Sequence, residues 1–175
     1  MRITLIAAQS LDGFITRHDQ PGSAFASSDD RKFFREALQD FDCCVMGATT
    51  YREARTAIQC SLMPERLRTV ITHKPEEFVG DVVPGKLEFT RLQPVPLAAG
   101  LASRGYAACA LLGGSQIHSL FFEAGLVDEL WLTVEPLLFG AGTPLLARRT
   151  SIAMELISTE NLNRNTLLLK YRVRK

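Results

Sequence analysis

Between Ala107 and Leu126 the chain passes from an apolar run (Ala107 to Leu112) through Gly113-Gly114 into a segment with apolar residues at Ile117, Leu120, Phe121 and Ala124. The run reads as a buried strand and the later spacing as a helix with one apolar stripe, which Ser115 is placed to begin. A strand that turns straight into a helix through two glycines lets backbone approach a ligand closely and aims unpaired helix N–H groups at its phosphates. A tight strand-to-helix turn also needs glycine for steric reasons, so the pair alone leaves both readings open. A second turn of the same kind, Gly47-Ala48-Thr49-Thr50, follows the β-favouring segment Cys43 to Met46 and puts hydroxyls at another helix start. Together the two turns favour a nucleotide site.

Composition narrows the rest. With 175 residues, 46% of them hydrophobic, residues 1–175 read as a single domain able to bury a core. Twenty Lys+Arg against 19 Asp+Glu leave a formal charge of +1, so no global field holds nucleic acid or an anionic membrane, and an anion must be met locally. The four cysteines (Cys43, Cys44, Cys60, Cys109) have neither paired CxxC spacing nor a clustered histidine. Reduced, mostly buried thiols in a cytoplasmic protein are expected, with no metal site. Arg2 opens no signal-peptide pattern, and Glu135 breaks the longest later apolar stretch, so neither a leader nor a membrane span is expected.

In chain order, Ile3 to Ala8 reads as a buried first strand followed by the turn Ser10-Leu11-Asp12-Gly13. Ser27, three residues before Asp30, has capping-box spacing, and a helix is expected from there to about Gln39 with Phe33, Phe34, Ala37 and Leu38 inward. Further strands are expected at Cys43 to Met46, Arg68 to Thr72, Leu87 to Thr90 and Glu129 to Glu135, with a helix at Pro94 to Ser103 and a surface excursion at Glu76 to Gly85. Pro136 to Pro144 is an apolar, glycine-rich loop that suits a pocket wall, packing or a subunit contact. The tail reads as a hairpin, Ile152, Met154 and Leu156 on one strand, Leu167 to Val173 on the other, joined by Glu160 to Asn165. Helices alternating with strands and then a run of strands give an α/β sheet with an antiparallel edge.

The ordered set Ala8, Ser10-Leu11-Asp12-Gly13, Val45-Met46-Gly47, Thr50-Tyr51, Val70-Ile71-Thr72, Leu112-Gly113-Gly114, Val127-Asp128-Glu129-Leu130, Pro136 and Gly140-Ala141-Gly142 resembles the dihydrofolate reductase-like superfamily. Within it, the Ser-Leu-Asp-Gly and Gly-Gly patterns are most similar to the reductase domain of the riboflavin-biosynthesis deaminase-reductase and its stand-alone relatives. The deaminase's His-x-Glu with Pro-Cys-x-x-Cys is absent from the sequence. The resemblance implies a three-layer fold, a mostly parallel eight-stranded sheet flanked by helices with an antiparallel C-terminal hairpin. It also implies NADPH across the carboxyl ends of the strands, a homodimer, and a small-molecule substrate that is a pterin- or ribosylaminopyrimidine-like heterocycle.

By the same resemblance, Gly47, Thr49 and Thr50 meet the cofactor phosphates at one helix start and Leu112, Gly113, Gly114, Ser115 and Gln116 at the other. Thr72 and His73 lie beside the adenosine ribose. Ala8, Gln9, Ser10, Asp12 and Ile15 form a loop over the nicotinamide, with Ser10 touching substrate. Asp30 stands where dihydrofolate reductases carry the carboxylate that grips the pterin, with Phe34 beside it, Thr133 as its hydroxyl partner, and Phe139 walling the pocket. Asp30 and Asp12 are therefore the candidate catalytic residues. Asp30 also suits a plain helix-start charge, Asp12 a turn residue, Thr50 an N-cap and His73 a solvated strand end.

Several departures bear on this, among them Gln116, which stands where the riboflavin-pathway reductases carry an acidic residue shortly after the two glycines. Ala48 replaces the arginine that commonly faces the 2′-phosphate of NADPH, which leaves NADH possible, with Arg52, Lys74 or Arg91 as substitutes. Pro21-Gly22 stands where folate enzymes carry Pro-Trp. Tyr51-Arg52-Glu53-Ala54-Arg55 replaces a phosphate-binding Asp-x-Pro-x-Leu run. The expected function is an NAD(P)H-dependent reductase; the alternatives are a non-catalytic nucleotide-binding or regulatory protein on the same fold and a true dihydrofolate reductase.

Overall fold

The computed structural model describes residues 1–20 and 22–174; Pro21, and with it the expected contrast with Pro-Trp, lies outside the described residues. Eight strands alternate with four α-helices: β1 (Arg2–Ser10), α1 (Ser28–Ala37), β2 (Cys43–Gly47), α2 (Ala48–Cys60), β3 (Leu67–Ile71), β4 (Leu87–Thr90), α3 (Pro94–Ser103), β5 (Ala108–Leu111), α4 (Ser115–Glu123), β6 (Glu129–Glu135), β7 (Met154–Asn161) and β8 (Leu167–Val173). They form one sheet in the order β4-β3-β2-β5-β1-β6-β8-β7. The first six strands of that order pair in parallel, and β8 and β7 close the far edge antiparallel. The expected sheet with its antiparallel hairpin is the one found.

Strand alternation divides the core into two layers. On one face Ile6, Cys44, Met46, Val70, Ala110 and Trp131 pack with Phe33 and Phe34 of α1, Leu38 just after it, and Tyr51 and Ile58 of α2. On the other, Ile3, Leu5, Val45, Leu111 and Leu132 pack against Leu97 and Leu101 of α3 and Ile117, Phe121 and Phe122 of α4. The parity changes at β6, because Ala8 pairs with Thr133 and Ser10 with Glu135. Thr133 and Glu135 therefore share the α1–α2 face with Ala8 and Ser10.

Glu76 to Gly85 is not a simple surface excursion. A 3₁₀ segment, Pro75–Asp81, turns Phe78 and Asp81 inward. Phe78 stacks on Phe89 at 4.7 Å and meets Tyr51 edge-on at 5.7 Å. Asp81 accepts hydrogen bonds from the Tyr51 hydroxyl at 2.9 Å, from Gln59 at 3.0 Å and from Arg55. Among the polar and charged residues of that stretch, the one aromatic was enough to pull it onto the sheet. The C-terminal hairpin carries a bulge between Leu156 and Ser158, which breaks its alternation and leaves both Leu156 and Ile157 exposed. All four cysteines are free thiols, and only Cys60 is exposed. No helix among the described residues is long and apolar enough to cross a membrane, and no group of three or more His, Cys, Asp or Glu there is placed to hold a metal ion.

Candidate active site

On the α1–α2 face a cleft of about 1710 Å³ opens along the carboxyl ends of β1, β2, β3 and β5. A single ligand commonly occupies roughly 300–1,000 Å³, so this space admits two. Its walls include Ala8, Ile15, Asp30, Phe34, Gly47, Thr49, Thr50, Thr72, His73, Leu112, Gly114, Ser115 and Gln116. Segments far apart in sequence meet there because open α/β sheets leave a crevice beyond their strand ends.

The beginnings of α2 and α4 form one side. Neither helix is capped by a side chain, since the N-cap residues are Gly47 and Gly114. Their first N–H groups are therefore free to meet an anion, and the helix dipoles favour one. The Gly47 N–H donates to the Gly113 carbonyl at 2.6 Å and couples the two turns. Steric need accounts for two of the three glycines. A Cβ on Gly47 would lie 2.9 Å from Ile117 Cγ1, while Gly113 has φ +105° and its Cβ would meet the His118 ring at 3.0 Å. Gly114 has no such constraint, its Cβ reaching only Thr50 Oγ1 at 3.5 Å. The steric reading of the Gly-Gly turn holds at Gly113, while at Gly114 the backbone is open and no packing requires a glycine.

Beneath this turn Ser115 is 5% exposed, and its Oγ has no hydrogen-bond partner. A buried hydroxyl beside free helix N–H groups fits a pyrophosphate, so the residues present suit a dinucleotide. His118 is buried with its Nδ1 2.9 Å from the Leu145 carbonyl, and burial lowers its pKa to about 4, so the ring is neutral. It packs under the turn and carries no charge to the cleft.

At the carboxyl end of β3, Thr72 is buried and its Oγ1 accepts from Lys74 N at 3.1 Å, while His73 is exposed. Of the three cations expected to replace an arginine at Ala48, Arg52 and Lys74 line the cleft. Both pair with Glu77, at 2.9 and 3.1 Å. Arg91 is instead turned to Glu76 at 2.7 Å and to the His73 carbonyl.

The opposite side holds Asp30, which is 8% exposed in the first turn of α1. Burial raises its pKa, the Thr133 hydroxyl opposes that by hydrogen bonding, the charge of Glu135 raises it further, and Arg31 lowers it. Thr133 reaches Asp30 from β6 without itself lining the cleft. This places Asp30 in a pocket, not on the solvated face that an ordinary helix-start charge occupies.

Ser10, Asp12 and Phe139 are occupied elsewhere. The Ser10 hydroxyl, fully buried, donates to Asp12 at 2.6 Å and accepts from Phe14 N at 3.0 Å. Asp12 is exposed and accepts from the amides of Phe139 and Gly140 at 3.1 and 2.7 Å. These bonds, led by that from Ser10, hold its pKa below the ordinary carboxylate value, which suits an acceptor and not a proton donor. Phe139 packs edge-on against Phe25 at 5.1 Å, beneath the Arg17 guanidinium. The apolar loop 136–144 is thus a packing partner of the Ser10–His18 loop. Gly142 lies so close to the Thr16 carbonyl that a Cβ there would sit 2.2 Å from its oxygen. Ile15, whose N–H donates to the Thr143 carbonyl at 2.8 Å, reaches the cleft from that loop together with Thr16.

Two charged residues of the site escaped the sequence reading. Glu135 is 2% exposed, accepting from Ser27 N at 2.7 Å and from the Thr166 hydroxyl at 2.9 Å. Arg68 lines the far end of the cleft yet is 6% exposed; one Nη donates to the Ser61 carbonyl at 2.9 Å, and the other has no partner. Each was visible only as a lone charge in an apolar strand.

An eight-stranded sheet of this order, with its cleft across the strand ends, defines a dihydrofolate reductase-like fold. Residues 2–168 match the RibD C-terminal domain, and the chain belongs to that family. It is 25% identical over 155 residues to YwjB of Bacillus subtilis, an uncharacterized protein, covering 86% of this chain and 85% of that one. It superposes at TM-score 0.79 and 17% identity on a diaminohydroxyphosphoribosylaminopyrimidine deaminase/5-amino-6-(5-phosphoribosylamino)uracil reductase of Thermotoga maritima, covering 99% of this chain and 56% of that one. With the dihydrofolate reductase of Enterococcus faecalis, solved with NADP(H), the TM-score is 0.68 at 20% identity, covering 99% and 97%.

Proposed function

We propose that this protein is a reductase that uses a reduced nicotinamide dinucleotide to transfer hydride to a small polar heterocycle, pterin- or ribosylaminopyrimidine-like. The observation that carries this reading is the convergence of two uncapped helix starts and the unpartnered Ser115 hydroxyl on one side of a cleft whose other side holds the buried Asp30. The names of the Thermotoga and Enterococcus proteins support the same chemistry.

A reduced nicotinamide, when bound, supplies the hydride. The chain's own part is to orient and to move a proton. The first N–H groups of α2 and α4, with Thr49, Thr50, Ser115 and Gln116, would hold the phosphates; Thr72 and His73 would border the ribose beyond them. Ala8 and Ile15 keep water from the reacting face, and Phe34 packs against the heterocycle. With hydride delivered to a carbon of a C=N or C=O bond, the adjacent nitrogen or oxygen would take a proton from Asp30 or from water passed by it. A carboxyl whose pKa is raised by burial holds that proton closer to neutral pH than an ordinary one does. At the far end, the unpartnered Arg68 nitrogen supports a substrate that carries a hydrogen-bond acceptor or an anionic substituent.

The test begins with binding. Titration with NADPH and NADH, followed by quenching of the single Trp131 or by enhanced nicotinamide fluorescence, should show saturable binding. Oxidation of the bound cofactor against a panel of pterins and ribityl- or ribosylamino-pyrimidines should then identify a substrate. Binding without turnover on any heterocycle would favour a regulatory nucleotide-binding protein, and no binding would remove the reading.

A further inference from the structure

Strand β6 grips the first turn of α1 with two side chains from one face. Thr133 bonds to the Asp30 carboxylate, and two residues on, Glu135 accepts the backbone N–H of Ser27 at 2.7 Å. Ser27 is the N-cap of α1, and its hydroxyl accepts the N–H of Asp30 at 3.2 Å. The turn between β7 and β8 adds to the grip: Thr166 donates to the other oxygen of Glu135 at 2.9 Å, and Asn163 donates to Asp29 at 2.9 Å. Both oxygens of Glu135 accept hydrogen bonds. No cation pairs with it within ion-pair distance among the described residues.

The Ser27 hydroxyl caps the N–H of Asp30, and the N–H of Ser27 itself, which a neutral acceptor would satisfy as well, is met by Glu135. Burying a carboxylate without a cation is costly, and placing it near a second buried carboxylate more so. Two like charges in one dry site are relieved when one of them keeps its proton. Of the pair, Glu135 has two donors fixed on it by backbone and strand geometry, whereas Asp30 has one hydroxyl and faces the cleft. The other charged group that acts on Asp30 is Arg31 of its own helix, whose guanidinium is tied to the Ala26 carbonyl at 2.6 Å. The β7–β8 turn brings an uncharged amide, Asn163, to the neighbouring Asp29 carboxylate and an uncharged hydroxyl, Thr166, to Glu135.

We propose that Glu135 is a positioning residue for Asp30: by accepting the Ser27 N–H it fixes the first turn of α1 on β6, and it stands as a second buried carboxylate behind the one that faces the cleft. The inference rests on the reading of Asp30 as the acid of the site. It gives Glu135 a part in setting when that acid can donate, in addition to holding the helix.

The test is a carboxyl titration followed by NMR on protein labelled with ¹³C at the Asp and Glu side-chain carboxyls, without cofactor or substrate. In the wild type the Asp30 carbon should titrate above the ordinary aspartate range. Glu135→Gln keeps an acceptor for Ser27 and a donor for Thr166 while removing the charge. In that variant the Asp30 midpoint should move down, with the Ser27 amide still protected from exchange. An unchanged Asp30 midpoint in folded Glu135→Gln overturns the proposal. Should that variant not fold, an Asp30 midpoint in the ordinary range in the wild type overturns it equally. Because no dinucleotide enters the experiment, failure to bind NADPH or NADH would remove the proposed function while leaving the coupling between the two carboxylates measurable.

Discussion

The Gly47 N–H donates to the Gly113 carbonyl across 2.6 Å, so the turns that begin α2 and α4 are held as one cradle although 66 residues separate them (113 − 47). Substitutions in the two turns should consequently separate packing from binding.

Gly114→Val adds a branched side chain where only Thr50 Oγ1, at 3.5 Å from the new Cβ, stands near. The fold should persist, while dinucleotide affinity should fall by about tenfold or more as the side chain enters the phosphate path. Gly47→Ala instead drives a Cβ to 2.9 Å from Ile117 and should cost stability of about 1–3 kcal/mol. Thermal melts and fluorescence titrations distinguish the pair; wild-type affinity in a folded Gly114→Val protein would place the phosphates elsewhere.

Ala48→Arg should raise the NADPH to NADH affinity ratio, because an arginine at the start of α2 offers a charge-assisted contact to a 2′-phosphate. In the wild type the cations at that end, Arg52 and Lys74, already share Glu77. If the ratio measured by titration does not change, those two residues already read the phosphate.

Asp30→Asn should lower kcat/KM by roughly 10²–10⁴-fold if the carboxyl is the general acid. Its stability effect has a definite sign. Burial raises the folded-state pKa of Asp30 above the unfolded value, so the folded chain binds the proton more tightly. The corresponding stability is fully present below the unfolded pKa and is lost as pH rises through the folded pKa. Chemical denaturation across that range should therefore show the wild type losing stability relative to Asp30→Asn as pH rises. A variant that keeps more than about a tenth of the activity would reduce Asp30 to a helix-start charge.

Arg68→Met removes a charge that burial already disfavours, its pKa being drawn down by desolvation. The empty protein should be as stable as the wild type or more so, since a buried ion without a counter-charge is a liability that a similar apolar volume relieves. Affinity for a substrate bearing an anionic substituent should fall by at least about tenfold, the loss expected for a charge-assisted hydrogen bond of about 1.5–3 kcal/mol. A melting temperature lowered by several degrees with unchanged KM would make Arg68 a structural tie to Ser61.

The order of strands and helices, the two glycine turns and the Ser27 cap were legible in the sequence because each depends on neighbours within a few residues. Periodicity, glycine placement and capping are local physics. The 3₁₀ turn at Pro75–Asp81 was not, because its polar residues mask the pull of Phe78 towards Phe89 and Tyr51. Asp12 and Ser10 were sensible candidates by motif, and only the fold of loop 136–144 against them shows their hydrogen-bonding capacity already used.

By itself, then, the sequence determined an α/β chain with two glycine-led helix starts and a carboxylate beside an aromatic pair. Tertiary structure decided what those residues face. Asp30 leaves solvent because β6, reached 100 residues later, carries Thr133 and Glu135 on the face where α1 packs. Burial of a charge depends on everything that surrounds it, and that surrounding is assembled only when distant strands pair.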